Sequence, residues 1–383
     1  MRVLHIADLH AGKRLYDRIS RNEDLLYALE QVKGICKENG VEVLLIAGDI
    51  FDKKSPDFES QGILLEFLTE LNAMGLHILL IAGNHDSYDF MRIYTNLRKL
   101  SNIHVFDRPA KNPADAVFHY GPLKVACLPY PDERALTHLK EDKERSYAEK
   151  LSQYMRVLAR EVADAPYRIM LAHLMVDKAK IAGSELQSSV SPYYAVKAET
   201  LPEEFQYVAL GHVHRPQRVE GAPTKAYYAG SLYQIDFSER GTEKYVNLLI
   251  LEDHMVKVQP IKLDLKRELL EIRLEEGQNI QELLEPLAGR QVLVRVHLQV
   301  RLSDPSYSAK KELVQSILGE KLARLELEPI REEEGSNGQI ESFDLLSLYR
   351  EFHREKYGAL PLEKLEELLA KLIDRVSHET HKS

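Results

Sequence analysis

Short apolar runs separated by helix-period segments fill residues 1–265. Runs at 3–7, 43–47, 78–82, 168–172 and 207–210 are rich in Val, Ile and Leu and lack polar alternation. Strands covered on both faces read this way, so each run predicts an interior strand. Helical periodicity at 23–38, 58–74 and 146–162 places helices between them, and strand-like runs at 245–251 and 255–261 close the region. Strands alternating with helices predict an α/β domain.

The pattern changes past residue 266. Val292, Val294, Val296, Leu298 and Val300 alternate mostly with Gln291, Arg295, His297, Gln299 and Arg301, as in a half-buried strand. Weaker alternation at 270–274 and 324–330, with helix-like 280–287 and 309–318 between, completes a small α+β module over 266–331. Residues 332–342, beginning Glu332-Glu333-Glu334-Gly335, have almost nothing to bury and predict an exposed linker. The tail, 343–383, predicts two helices, about 343–356 and 362–377, broken by Gly358 and Pro361. The second aligns Leu362, Leu365, Leu368, Leu369, Leu372, Ile373 and Val376 on one stripe.

Composition narrows the function classes. At 383 residues the chain exceeds the usual single-domain size. Its apolar runs are too short to span a bilayer, and Asp8 arrives too early for a signal-peptide core. Cys36 and Cys127 cannot build a disulfide framework, which predicts a reducing cytoplasmic setting. The net charge of −9 argues against a nucleic-acid coat protein. Much of that acidity is local, because residues 332–383 carry 12 acidic and 7 basic side chains.

The candidate chemistry lies where the apolar runs end. The first run ends in Asp8-Leu9-His10 and the second in Gly48-Asp49-Ile50-Phe51-Asp52. The third ends in Gly83-Asn84-His85-Asp86, the fourth in His173, and the fifth in Gly211-His212-Val213-His214. The carboxyl ends of parallel strands share one sheet edge, where such folds bind ligands. Carboxylate, amide oxygen and imidazole together, without thiolate, suit Mn²⁺, Fe²⁺ or Zn²⁺. Seven such ligands exceed the needs of one open ion and suit two ions sharing a carboxylate. Each motif alone is commonplace, and their coincidence at five strand ends carries the weight.

In this order the motifs resemble those of the calcineurin-like metallophosphoesterases. That resemblance implies a four-layer αββα sandwich with a small α+β capping domain and C-terminal helices. It implies that Asp8, His10, Asp49 and His214 hold one ion, with Asp49 bridging to a second held by Asn84, His173 and His212. His85 would face the substrate phosphate, stabilising the transition state or protonating the leaving oxygen. Mn²⁺ is the expected metal, and the two ions would activate water for in-line attack on phosphorus.

The segments 4–13, 47–52 and 82–87 further resemble the SbcD family of bacterial nuclease subunits. That family implies a double-stranded DNA exonuclease and hairpin endonuclease for repair, recombination and replication. It implies a homodimer through helices near 58–71 and 90–100. It also implies docking of the C-terminal helices on an SbcC-type coiled-coil ATPase, since this chain has no Gly-x-x-x-x-Gly-Lys-Ser/Thr loop. Relatives outside bacteria often carry His where Asp52 stands, which leaves the role of residue 52 open. Lys13, Arg14, Arg18 and Arg21 follow the first motif, and Lys53 and Lys54 the second. They are candidate contacts to a DNA backbone. The rival readings are a phosphatase or nucleotidase on the same fold, or a non-catalytic protein that tethers DNA ends.

Overall fold

All five apolar runs are strands, and they divide between the two sheets of the expected αββα sandwich. The computed structural model describes residues 1–99, 101–132, 146–185, 194–301, 306–330, 349–350, 353 and 364–370. Along the chain lie β1 (Arg2–Ile6), β2 (Arg14–Leu15), β3 (Ile19–Ser20), α1 (Asn22–Asn39), β4 (Val43–Ile46), α2 (Phe58–Ala73), β5 (His77–Ile81), α3 (Tyr88–Tyr94) and β6 (Ile103–Phe106). Next come β7 (Val117–Tyr120), β8 (Leu123–Leu128), α4 (Tyr147–Glu161), β9 (Tyr167–His173), β10 (Tyr207–Gly211), β11 (Gln217–Arg218) and β12 (Ala226–Tyr228). The hairpin of β13 (Lys244–Glu252) and β14 (Met255–Leu263) precedes β15 (Glu268–Leu274), α5 (Ile280–Ala288), β16 (Val292–Val300), α6 (Tyr307–Leu318) and β17 (Leu322–Pro329).

The first sheet runs β14-β13-β1-β4-β5-β6 and the second β11-β12-β10-β9-β8-β7. Successive side chains on a strand face opposite ways, so a strand apolar on both faces serves two cores. In β1, Leu4 and Ile6 pack with α1 and α2, whereas Val3 faces the second sheet alongside Val43, Leu45 and Leu79. From the second sheet, Ile169, Leu171 and Ala209 meet that inner layer, while Met170, Ala172 and Leu210 pack under α4. The layers are therefore helix, sheet, sheet, helix. Removing a buried leucine from either interface, for example Leu171→Ala, costs about 2–5 kcal/mol.

Local signals set the helix starts. Asp57 accepts the Ser60 amide at the head of α2, Ser87 caps α3, and Ser146 with Glu149 forms a capping box on α4. The three strands β15, β16 and β17 are parallel, with α5 and α6 as the crossovers. Both helices pack on one face of this small sheet through Leu284, Leu287, Val314 and Leu318. On its other face Leu269, Leu293 and Ala323 meet Leu15, Ile19 and Phe237. By compactness the chain divides into Met1–Ile330 and Arg331–Ser383. The linker expected at 332–342 lies outside the described residues. So does most of the tail, of which 364–370 is helical. Among the described residues no helix is long and apolar enough to cross a membrane.

Candidate metal centre

The segments after β1 and β4 stay laddered together beyond the strands themselves. The Asp8 amide donates to the Gly48 carbonyl at 3.1 Å, His10 to Asp49 at 3.0 Å, and Ala11 to Ile50 at 3.0 Å. The chain thereby turns both segments upward in register. Asp8, His10 and Asp49 adopt φ values of 51°, 45° and 48°, left-handed conformations that cost about 1–2 kcal/mol each. Gly48, at φ 85°, makes the approach possible, because a Cβ there would lie 2.3 Å from His173 Nδ1. At Gly211 the added carbon would sit 1.8 Å from the Ala47 carbonyl, so the two sheets touch through backbone.

Asp86 ties the next loop in. Its carboxylate accepts the amides of Ile50 at 3.1 Å, Phe51 at 3.0 Å and Gly83 at 2.8 Å. Burial, and then the nearby Asp49 carboxylate, push its pKa up to about 6. The His85 amide donates to Asp49 Oδ1 at 2.9 Å, which completes the join between the β4 and β5 loops.

These ties gather the predicted residues into two groups that share Asp49. Asp8, His10, Asp49 and His214 present potential ligand atoms all within 4.8 Å of one another, and so do Asp49, His173 and His212. His10 Nε2 and His214 Nε2 face each other at 3.1 Å. Asn84 Oδ1 joins the second group, 2.9 Å from His173 Nε2 and 2.7 Å from His212 Nδ1. His85 stands beside both, its ring edge-on to His10 at 4.8 Å and its Nδ1 2.8 Å from the Asp52 carbonyl.

The electrostatics are those of a compact, dry cluster. Burial pushes Asp8 up to about 6 against the pull of His214 and His173. Burial also acts to raise Asp49, but His173, His85 and His10 outweigh it and hold this carboxyl well below the usual range. His173 is opposed by burial yet raised to about 9 by the Asp49 and Asp8 carboxylates. His10 is lowered to about 4, mainly by burial. Asp52 reaches about 2, because contacts from His10 and Lys13 overcome its burial.

The basic candidates fare unequally. Lys53 and Lys54 are exposed on the loop after Asp52. Lys13 is half-buried, its Nζ 3.4 Å from Asp52 Oδ1. Arg14 is exposed and, with Lys13, Tyr16, Phe237, Arg240 and Arg295, lines a cleft of about 480 Å³. Arg18 donates to the Leu322 and Ala323 carbonyls at 3.3 Å, holding β17 to the β2–β3 hairpin. Arg21 is not a surface contact. It is fully buried, paired with Asp24 at 3.4 Å and donating to the Gln234 carbonyl at 3.0 Å, because it buttresses the strand-to-helix junction from within.

Some residues of the centre left little trace in the sequence. Asp86 stood in the Gly-Asn-His-Asp motif without a role. Glu239, whose Oε1 lies 3.0 Å from His214 Nδ1, had no motif at all. Tyr130, stacked on His212 at 6.1 Å, follows β8, a strand with no Asp, Asn or His motif at its end.

A family model described as calcineurin-like phosphoesterase matches residues 1–216, and the chain belongs to that family. Its members' hydrolytic chemistry and the clustered Asp and His side chains together support divalent-metal binding. Along its whole length the chain is similar to the SbcD component of the nuclease SbcCD from Bacillus subtilis (strain 168). The two are 28% identical over 397 residues, which cover all of both chains. Among solved structures, a dimetal phosphatase from Danio rerio aligns with a TM-score of 0.40 and 13% identity, over 66% of this chain and 93% of that one.

Proposed function

We propose that this chain is the Mn²⁺-dependent nuclease subunit of an ATP-driven SbcCD-type complex. It degrades double-stranded DNA from its ends and cuts hairpins, in cytoplasmic, nucleoid-associated repair, recombination and replication. The observation that carries this reading is the meeting of two ligand groups on Asp49, in a chain similar end to end to the SbcD component of an SbcCD nuclease.

The residues present fit a pair of divalent ions. Asp8 Oδ2 is buried without a hydrogen-bond partner among the described residues, and two imidazole nitrogens face one another across 3.1 Å. Such atoms gain partners when a cation sits among them. Oxygen and nitrogen donors without sulfur suit Mn²⁺. Asp8, His10, Asp49 and His214 hold one ion, and Asp49, Asn84, His173 and His212 the other. When bound, the ions supply Lewis-acid activation of water and offset charge at phosphorus.

The chain's own groups do the rest. Asp49 holds the two halves at one spacing. The contact between His85 Nδ1 and the Asp52 carbonyl requires Nδ1–H to be the donor, which leaves Nε2 for the substrate. In its protonated form Nε2–H donates to a phosphoryl oxygen or to the leaving oxygen. Asp52 stands 3.4 Å from His10 Nδ1 and orients that ring. Lys53, Lys54, Arg14 and Lys13 meet backbone phosphates without reading sequence, and Arg18 contributes by seating the β15–β17 module beside them. The exposed Phe58 on α2 and Ile93 on α3 favour a homodimer through these helices. The C-terminal helices dock on the SbcC-type ATPase.

The test is incubation of purified chain with blunt duplex DNA and Mn²⁺, beside His85→Asn, a chelator control and bis-p-nitrophenyl phosphate. Shortening of DNA that requires both metal and His85 supports the reading. Turnover of the small diester with DNA left intact would sink the DNA assignment and favour a small-molecule phosphoesterase on the same fold.

A further inference from the structure

Behind His214 lies a charged pair with no role in the reaction as described. Glu239 and Lys244 are both 0% exposed and form an ion pair. A buried ion pair is weak evidence for stability, since apolar replacements of similar volume often do as well. Its presence here calls for a different account, and its hydrogen bonds supply one.

Every polar atom of the pair is committed. Glu239 Oε1 contacts His214 Nδ1 at 3.0 Å and accepts from the Ser184 hydroxyl, whose oxygen itself lies 2.6 Å from His214 Nδ1. Its Oε2 accepts from Lys244, from the Ser231 hydroxyl at 3.1 Å and from the Ile235 amide at 3.2 Å. Lys244 Nζ donates to Glu239, to Ser231 Oγ at 2.7 Å and to the His214 carbonyl at 3.2 Å. The His214 amide in turn donates to Glu185 Oε1 at 3.1 Å. Amide and carbonyl of one histidine are thus held by charged side chains, Nδ1 by the Glu239 carboxylate together with the Ser184 hydroxyl that donates to it, and Nε2 alone faces His10. The other ligand histidines are backed differently. His173 Nδ1 rests on the Ala47 carbonyl at 2.7 Å, and His10 Nδ1 lies 3.4 Å from the Asp52 carboxylate.

We infer that Glu239 and Lys244 are positioning residues that fix His214 as an Nε2 ligand and set the affinity of the ion it shares with Asp8 and His10. This rests on the two-ion reading above. Glu239 selects the tautomer and the ring plane, directly and through the Ser184 hydroxyl, which donates to it and so presents its oxygen to Nδ1–H. Lys244 holds the carboxylate in place and neutralises it, so that it orients the ring without leaving an unpaired charge behind the centre.

Mn²⁺ titration calorimetry, with electron paramagnetic resonance of the loaded protein, tests this on the wild type, Glu239→Gln, Glu239→Ala and Lys244→Met. The wild type is expected to take two ions with an exchange-coupled signal. Glu239→Ala loses about 10–100-fold in affinity for one ion and shows an uncoupled Mn²⁺ spectrum at limiting metal. Glu239→Gln, which still offers Nδ1–H an oxygen, recovers part of that loss, and Lys244→Met falls between. If Glu239→Ala does not fold, Glu239→Gln and Lys244→Met carry the test. Two tight ions and an unchanged coupled signal in these variants, with only the metal-free melting temperature lowered, would overturn the positioning role and leave a structural ion pair. A wild-type chain that binds no Mn²⁺ would instead overturn the two-ion reading itself.

Discussion

The two sheets bring different kinds of chemistry to one centre, and they hold it by different means. The first supplies both carboxylates, Asp8 and Asp49, with His10 and Asn84, and Asp8, His10 and Asp49 stand on left-handed backbone laddered to its neighbour and pinned by Asp86. The second supplies His173, His212 and His214, and His173 and His214 are fixed from behind the ring, one on a carbonyl and one on a carboxylate. Geometry is set by main chain on one side and by ring hydrogen bonds on the other. A disturbance of the first side should therefore reach both ions, whereas one behind a single ring should reach one.

Asp49→Ala is the largest blow to this contrast. It is expected to remove DNA cleavage to below detection and to take both ions, read by nuclease assay and metal analysis of the same sample. Retention of one tight ion would break the comparison. His85→Asn comes next, with an expected fall of about 10²–10⁴-fold in rate while both ions remain, the outcome that the proposed acid role of this ring requires. Asp86→Ala strands three buried amides, and urea unfolding of the metal-free chain should show a loss of roughly 3 kcal/mol or more.

A pH experiment addresses the second sheet. His173 is raised to about 9 in the folded state, so without ions its pairing with Asp49 stabilises the fold fully below about pH 6.5. That contribution is lost as pH climbs through 9, and His173→Asn should flatten the metal-free melting profile over that window. An incoming ion must displace the same proton, so calorimetry in buffers of different ionisation enthalpy should show about one proton released near pH 7. The smallest effect is expected at the rim. Lys53→Ala with Lys54→Ala should weaken duplex binding a few-fold at low salt and less at high salt, with cleavage of a small ester unchanged.

The clustering of these Asp, Asn and His side chains was legible because each motif sits at the abrupt end of an apolar run, where a strand has to stop. Which of the five runs belongs to which of the two sheets was not legible, since a strand buried on both faces carries the same residues whichever sheet receives it. Arg21 shows a similar limit. In sequence it reads as one more cation beside Lys13, Arg14 and Arg18, and only its contacts with Asp24, Gln234 and Tyr233 show that it points inward. Glu239 and Lys244 sit five apart around a short 3₁₀ turn with no period to mark them. The α5 and α6 crossovers were readable from helical spacing, but the pairing order of β15, β16 and β17 emerged only in three dimensions.

The strand that opens the centre is also the one that waits longest for a neighbour. Antiparallel to β1 lies β13, with Arg2 opposite Ile250 and Val3 opposite Leu249, and the Met1 amine reaches the Leu251 carbonyl. On a ribosome adding about 5–20 residues per second, β1 emerges roughly 12–50 s before that partner. Until then the loop bearing Asp8 and His10 lacks one flank of its sheet, and His214 lacks the lysine behind it. A chain released early from its messenger would hold the motifs of a phosphoesterase without the means to align them.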